Sequence, residues 1–118
     1  RIALLRQACQ KRQDITMAAR QHGLEKSPHT AERYWLARSL ACAEDPGAHA
    51  MLAVLADDPQ PIVACQALWA MGKRNNRQVI PWIITRIKTS SHWYFQMYAY
   101  RTLRTLGWVQ PRSPFASQ

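Results

Sequence analysis

The sequence predicts an all-α fold, a right-handed α-solenoid of about seven helices arranged mostly in pairs, and three observations predict it. First, a short pattern recurs: with Ala41, Gly72 and Gly107 superposed, 31 and 35 residues apart, Leu40, Met71 and Leu106 align, as do Ser39, Ala70 and Thr105. Second, the stretches between these segments place apolar residues at helical spacing, Met51, Leu52 and Leu55 in one and Ile80, Ile83, Ile84 and Ile87 in the other. Third, prolines fall where helices can start: Pro46 after Asp45, Pro59 and Pro61 after Asp58, and Pro81 in the first turn of its helix.

Taken in chain order, residues 2–28 give two short helices, over about 2–12 and 14–22. Ile2, Leu5, Ala8 and Cys9 share one helical face, Ile15, Ala18 and Ala19 make a weaker second one, and Gly23 stops it. Residues 30–42 and 47–58 form the next pair, 59–73 and 77–91 the one after, and a last unpaired helix spans 92–106. The closing "QPRSPFASQ" has two prolines and no periodicity, so 110–118 is an extended tail. The expected organisation is one repeat domain over 1–109: a degenerate first pair at 1–28, repeats at 29–58 and 59–91, and a C-terminal capping helix at 92–109. One helix pair cannot bury its apolar stripe alone, so stacked neighbours must share a continuous core.

Residues 48–73, "AHAMLAVLADDPQPIVACQALWAMGK", resemble the HEAT repeat in its short bacterial form, also called PBS-lyase HEAT-like. That pattern has an apolar helix ending in Leu-x-x-Asp (here Leu55 to Asp58), a "DPxPxV" turn (Asp58 to Val63) and a second helix ending in a small-residue pattern (Ala67 to Gly72). The resemblance implies that Val63, Ala67, Ala70 and Met71 are core columns, with Leu36 and Leu40 in that part earlier and Tyr98, Thr102, Thr105 and Leu106 turned inward later. Trp93, Tyr94 and Phe95 replace the DP turn in the last helix, and are expected to seal the open end of the core, with Trp93 covered by Pro111 through Phe115.

Charge is unevenly distributed within a net +9. Acidic residues are concentrated in the middle of the chain, and from Pro59 onward there are eight Lys or Arg and no Asp or Glu. Such polarity attracts polyanions or an acidic partner. Cys9, Cys42 and Cys65 form an odd set without CxxC spacing, expected as free thiols in a reducing, cytoplasmic compartment. No apolar run reaches membrane-span length. The chain begins with Arg1 rather than Met, as expected of a piece of a longer protein.

Two surface columns are expected. The exposed side of the first helices carries Arg38, Trp69 and Arg104, with Arg33, Tyr34, Tyr100 and Arg101 nearby. Second helices line the concave face in the resembled family, and there Ala50 and Val54 are followed by Trp82 and Arg86, with Lys73, Arg74, Arg77 and Lys88 close by. The candidate partner-binding residues are thus Trp82, Arg86, Lys73, Arg74, Arg77, Trp69 and Arg104. No catalytic or metal site is expected. His22, His29, His49 and His92 have no HExxH or HxH spacing, and none is followed by the Glu that a HEAT-repeat di-iron hydroxylase carries. Glu44-Asp45 and Asp57-Asp58 sit at helix junctions, where they cap helices and interact favourably with their N-terminal dipoles. The expected role is a noncatalytic scaffold, without cofactor, that binds a protein partner or another segment of the same polypeptide. Two alternative readings are nucleic-acid binding, as in the HEAT-like alkylpurine glycosylases, and a regulatory domain of a larger protein held near an anionic membrane surface.

Overall fold

The computed structural model of the chain describes residues 2–11 and 14–109. Among them every regular element is helical: α1 (Ile2–Lys11), α2 (Thr16–His22), α3 (Thr30–Ser39), α4 (Gly47–Ala56), α5 (Pro61–Lys73), α6 (Ile80–Thr89) and α7 (Trp93–Thr105). The end of α3 tightens into a 3-10 turn, Leu40–Cys42. A further 3-10 turn, Arg77–Val79, precedes α6, so that helix starts later than its apolar pattern suggests. The expected tail at 110–118, and the covering of Trp93 by Pro111 through Phe115, lie outside the described residues.

Helices α1, α3, α5 and α7 form a row in which each packs against the next; α4 lies on α5, and α6 on α7. Between them Leu36, Leu40, Leu52, Leu55, Val63, Leu68, Ile83 and Leu103 are fully buried. Each such side chain contributes about 1.5–3 kcal/mol by leaving water. The principal extents of 54 × 26 × 20 Å fit stacking in one dimension.

What sets the register of these helices is the chemistry of the turns. At six junctions a short polar side chain accepts a hydrogen bond from the backbone N–H two residues on: Asp14 from Thr16, Ser27 from His29, Asp45 from Gly47, Asp58 from Gln60, Asn76 from Gln78 and Ser90 from His92. These side chains mimic a backbone turn and so reverse the chain in few residues. Asp14, Asp45 and Asn76 lie 31 residues apart; Ser27 and Asp58 are also separated by 31, and Asp58 and Ser90 by 32. The residues that then cap α3, α5 and α7 share one extended conformation, with φ/ψ of −98°/114° at His29, −89°/116° at Gln60 and −96°/116° at His92.

This geometry corrects the expected alignment of α7. Counted from its start, Phe95, Ala99, Thr102 and Leu103 take the columns of Val63, Ala67, Ala70 and Met71. Ala99, Thr102 and Leu103 are buried, and Phe95 and the expected Tyr98, both half-buried, pack on the core, whereas Thr105 is exposed. Superposing Gly107 on Gly72 shifts the helix by three residues, close enough to one turn that Leu106 and Thr102 still fall inward. The two glycines do different work. Gly107 ends α7 with φ +85°, its N–H bonded to the Arg104 carbonyl and that of Trp108 to Leu103. Gly72 lies inside α5, and the Thr105 and Thr102 methyl groups lie 3.4 and 3.5 Å from where its Cβ would stand, so α7 rests on the α5 backbone. Thr102 Oγ1 adds a buried hydrogen bond to the Leu68 carbonyl at 3.0 Å.

Adjacent junctions are also bonded to each other. Arg33 donates to both carboxylate oxygens of Asp58, at 2.6 and 3.3 Å, and to the Ser27 carbonyl at 2.6 Å, with both charged side chains nearly out of water. On the opposite edge Asp14 Oδ2 accepts from the N–H groups of Glu44 and Asp45 at 2.9 and 3.0 Å, and the Arg74 guanidinium donates to the Ala43 carbonyl. Desolvation would raise the Asp14 pKa, but the bonds from Thr16, Asp45 and Glu44 together outweigh it and bring the carboxyl from 3.8 to about 2. A depressed carboxyl stabilises the fold above its unfolded pKa and ceases to do so as pH falls through the folded one. Asp14→Ala is therefore expected to cost about 1 kcal/mol at pH 5–7, on the scale of a lost cap. In thermal unfolding series the gap to wild type should close between pH 4 and pH 2; a gap independent of pH would contradict the clamp.

Candidate functional site

On the outer face of the α3–α5–α7 row, the corrected register puts Arg38, Trp69 and Arg101 in one column and Tyr34, Cys65 and Met97 in the column one turn earlier. Arg38, Trp69, Arg101 and Met97 are exposed; Tyr34 and Cys65 are half-buried. These helices enclose a groove of about 670 Å³ whose walls include Tyr34, Arg38, Ile62, Trp69, Tyr94 and Tyr98. Ile62 at its mouth is 60% exposed and Trp69 38%. Each flank carries a cation beside a ring: Lys73 Nζ lies 5.7 Å from the Trp69 centroid, the Arg101 guanidinium 5.5 Å from that of Tyr98, and Arg38 Nη1 donates to the Tyr34 hydroxyl at 3.4 Å.

The other candidate residues lie elsewhere. Arg104 takes the column of Gly72 and shares the far side of α7 with Trp93, Met97 and Tyr100, all exposed. Trp82 and Arg86 are together on α6, the guanidinium 5.0 Å from the ring, as their spacing of four implies. Arg86 is also paired with Asp57, Nη2 to Oδ2 at 2.8 Å, and Trp82 packs partly on the core. Arg74 is half-buried and bonded to Ala43; Arg77 is exposed in the turn before α6. The seven residues thus divide between the groove side (Trp69, Lys73), the open end (Arg104) and the α6 side (Trp82, Arg86, Arg77), with Arg74 engaged in holding two junctions together.

A family model for HEAT repeats matches residues 17–104, most of the chain. The chain belongs to the HEAT-repeat family. No match was found among curated proteins or among solved structures. HEAT repeats generally act as protein-interaction scaffolds and are typically noncatalytic. No helix is long and apolar enough to cross a membrane, and the described residues hold no cluster of three or more His, Cys, Asp or Glu that fits a metal ion. The three cysteines are half-buried, and burial pushes the Cys65 thiol up, away from the thiolate that would react.

Some residues of this HEAT surface escape a reading of the sequence. Trp35 sits between Tyr34 and the core residue Leu36, yet its ring is approached by Arg6 of α1 at 5.3 Å and by Arg38 at 5.4 Å, with Tyr34 edge-on. Nothing in the local pattern separates it from a buried residue. Ile62, Tyr94 and Tyr98 join the groove only once α7 is registered from Ser90, a signal present in the 31-residue spacing of polar turn residues. Of the three residues expected to cap the open end, Phe95 packs on the core and Trp93 is 70% exposed, since it precedes the first inward position of α7. Trp93→Phe is expected to remove the most acrylamide-quenchable part of the tryptophan fluorescence; an unchanged quenching curve would show that Trp93 is covered.

Proposed function

We propose that this chain is a noncatalytic interaction module that holds a protein partner, or another segment of the same polypeptide, against the outer face of the α3–α5–α7 row. One observation carries the reading: Ile62 and Trp69 on α5 and Trp93, Met97 and Tyr100 on α7 are exposed within a stretch that holds eight Lys or Arg and no acid, whereas the exposed Ile2, Leu4, Met17 and Val54 of the earlier helices include no aromatic ring. Trp, Tyr and Arg are the side chains that most often carry interface energy, and exposed apolar surface with a charged rim is what a partner covers. Trp69 and Lys73 are the anchors, with Arg101 and Arg104 on the rim. The Trp82–Arg86 pair is a weaker candidate, because Asp57 already neutralises Arg86.

A nucleic-acid partner is favoured by the acid-free half of the chain, and opposed by the aliphatic Ile62 at the mouth of the groove, which phosphate has no use for. Affinity purification with wild type and with a Lys73→Glu, Arg101→Glu, Arg104→Glu triple variant, each with and without nuclease, separates the readings. Proteins retained by wild type, lost at least tenfold on charge reversal and indifferent to nuclease are the expected result. Retention that survives the reversal, or that disappears with nuclease, would contradict it. Arg74 and Arg86 are unsuited to this test, since their reversal breaks the bonds to Ala43 and Asp57.

A further inference from the structure

We infer that the groove bounded by α3, α5 and α7 takes an extended acidic peptide that carries apolar side chains between its carboxylates; this rests on the interaction reading above and names the partner's chemistry. The lining has no acidic side chain: tyrosines 34, 94 and 98, Trp69, Ile62 and Pro61 supply an apolar floor and walls. Around it stand Arg38, Lys73 and Arg101, all exposed, and among the described residues none of the three is paired with a carboxylate. Instead Lys73 and Arg101 lie against the Trp69 and Tyr98 rings of the groove, and Arg38 lies against Trp35 beside it and donates to the Tyr34 hydroxyl, contacts that hold a cation near an apolar surface without neutralising it. Among the described residues, Arg20, Arg33 and Arg86 are paired with acids, and all three lie away from this groove. Charge complementarity therefore selects an anion, and the exposed Ile62 and Trp69 select one with aliphatic or aromatic side chains.

Geometry sets the length of the segment. Three neighbouring helices spaced 8–10 Å apart span about 16–20 Å from Arg38 to Arg101, which five or six residues cover in extended form at about 3.3 Å each. An extended segment lying across the helices can present alternate side chains to the groove and its carboxylates to the flanking cations. Three cations in a row this short make few phosphate contacts, so a duplex would bind here weakly and without use of Ile62.

Selection of random twelve-residue peptides displayed on phage against the whole chain tests this directly. Recovered peptides should combine Asp or Glu with Leu, Ile, Phe or Trp. A synthetic representative should lose at least tenfold in affinity with Trp69→Ala and with Lys73→Glu plus Arg101→Glu, keep it with Arg77→Glu, and weaken as salt rises. Circular dichroism confirms that the variants stay folded; the exposed Lys73 and Arg101 give a readout even where Trp69→Ala does not. Peptides without acidic enrichment, or indifferent to the groove variants, overturn the inference. If their binding is lost with Arg77→Glu or Trp82→Ala instead, the chain is still an interaction module, but its site is the α6 side and neither the groove nor the outer face. If no peptide is recovered while duplex DNA binds with steep salt dependence, the groove inference and the interaction reading both fall.

Discussion

A short polar side chain that bonds the backbone two residues ahead stands at each of the six described helix junctions, and the array depends on this contact. Asp14, Ser27, Asp45, Asp58, Asn76 and Ser90 turn the chain so that every second junction recurs after 31 or 32 residues, and every second helix starts in the same orientation. Equal orientation lets Leu40, Met71 and Leu103, all buried, meet the same kind of neighbour in turn. Without it, helices of the same composition could still collapse, but their apolar stripes would not share one core. Bonds between junctions, Arg33 to Asp58 and Asp14 to the 44–45 backbone, then tie each turn to the next. A buried Arg–carboxylate pair of this kind is costly to break, about 3–5 kcal/mol when one partner is removed, because the other charge remains out of water.

Much of this was legible in the sequence, and the part that was not has a physical cause. Apolar spacing and proline placement located seven helices because burial of one face is what a stacked helix needs. The repeat of 48–73 was visible because its turn and core columns are both present in one stretch. The last helix looked divergent because its core positions hold Phe95 and Thr102 where α5 has Val63 and Ala70. Its turn is not divergent. Asp, Asn and Ser are interchangeable as acceptors in such a turn, so the period survives in residues that a comparison of identities passes over. Alignment on Gly107 failed for another reason: α5 and α7 are both 13 residues long, but Gly72 lies inside α5 whereas Gly107 lies beyond the end of α7, so the two glycines are not equivalent.

The surface was legible only in outline. Trp82 with Arg86, and Trp69 with Lys73, are pairs at a spacing of four on one helix, and such pairs meet whatever the tertiary structure does. Residues on different helices were grouped less well. Arg104 and Trp69 stand in different columns, Arg86 is paired with Asp57 across two helices, and Arg74 is drawn in by a backbone carbonyl. None of those contacts leaves a trace in the pattern of either residue. The uneven charge, by contrast, did carry through, since a half of the chain without a single acid can form no internal ion pairs of its own. Of its described cations Lys73, Arg77, Lys88, Arg101 and Arg104 stay exposed, while Arg86 pairs with Asp57 and Arg74 turns in to the Ala43 carbonyl.

The central claim is that the outer columns of the first-helix row, aligned from their junctions, form the surface a partner covers. Amide chemical-shift mapping with a bound acidic peptide tests it most directly. The account predicts perturbations at Tyr34, Arg38, Ile62, Trp69, Tyr98 and Arg101, on three helices at once, with α6 unmoved. Perturbations confined to Arg77, Trp82 and Arg86 would contradict it.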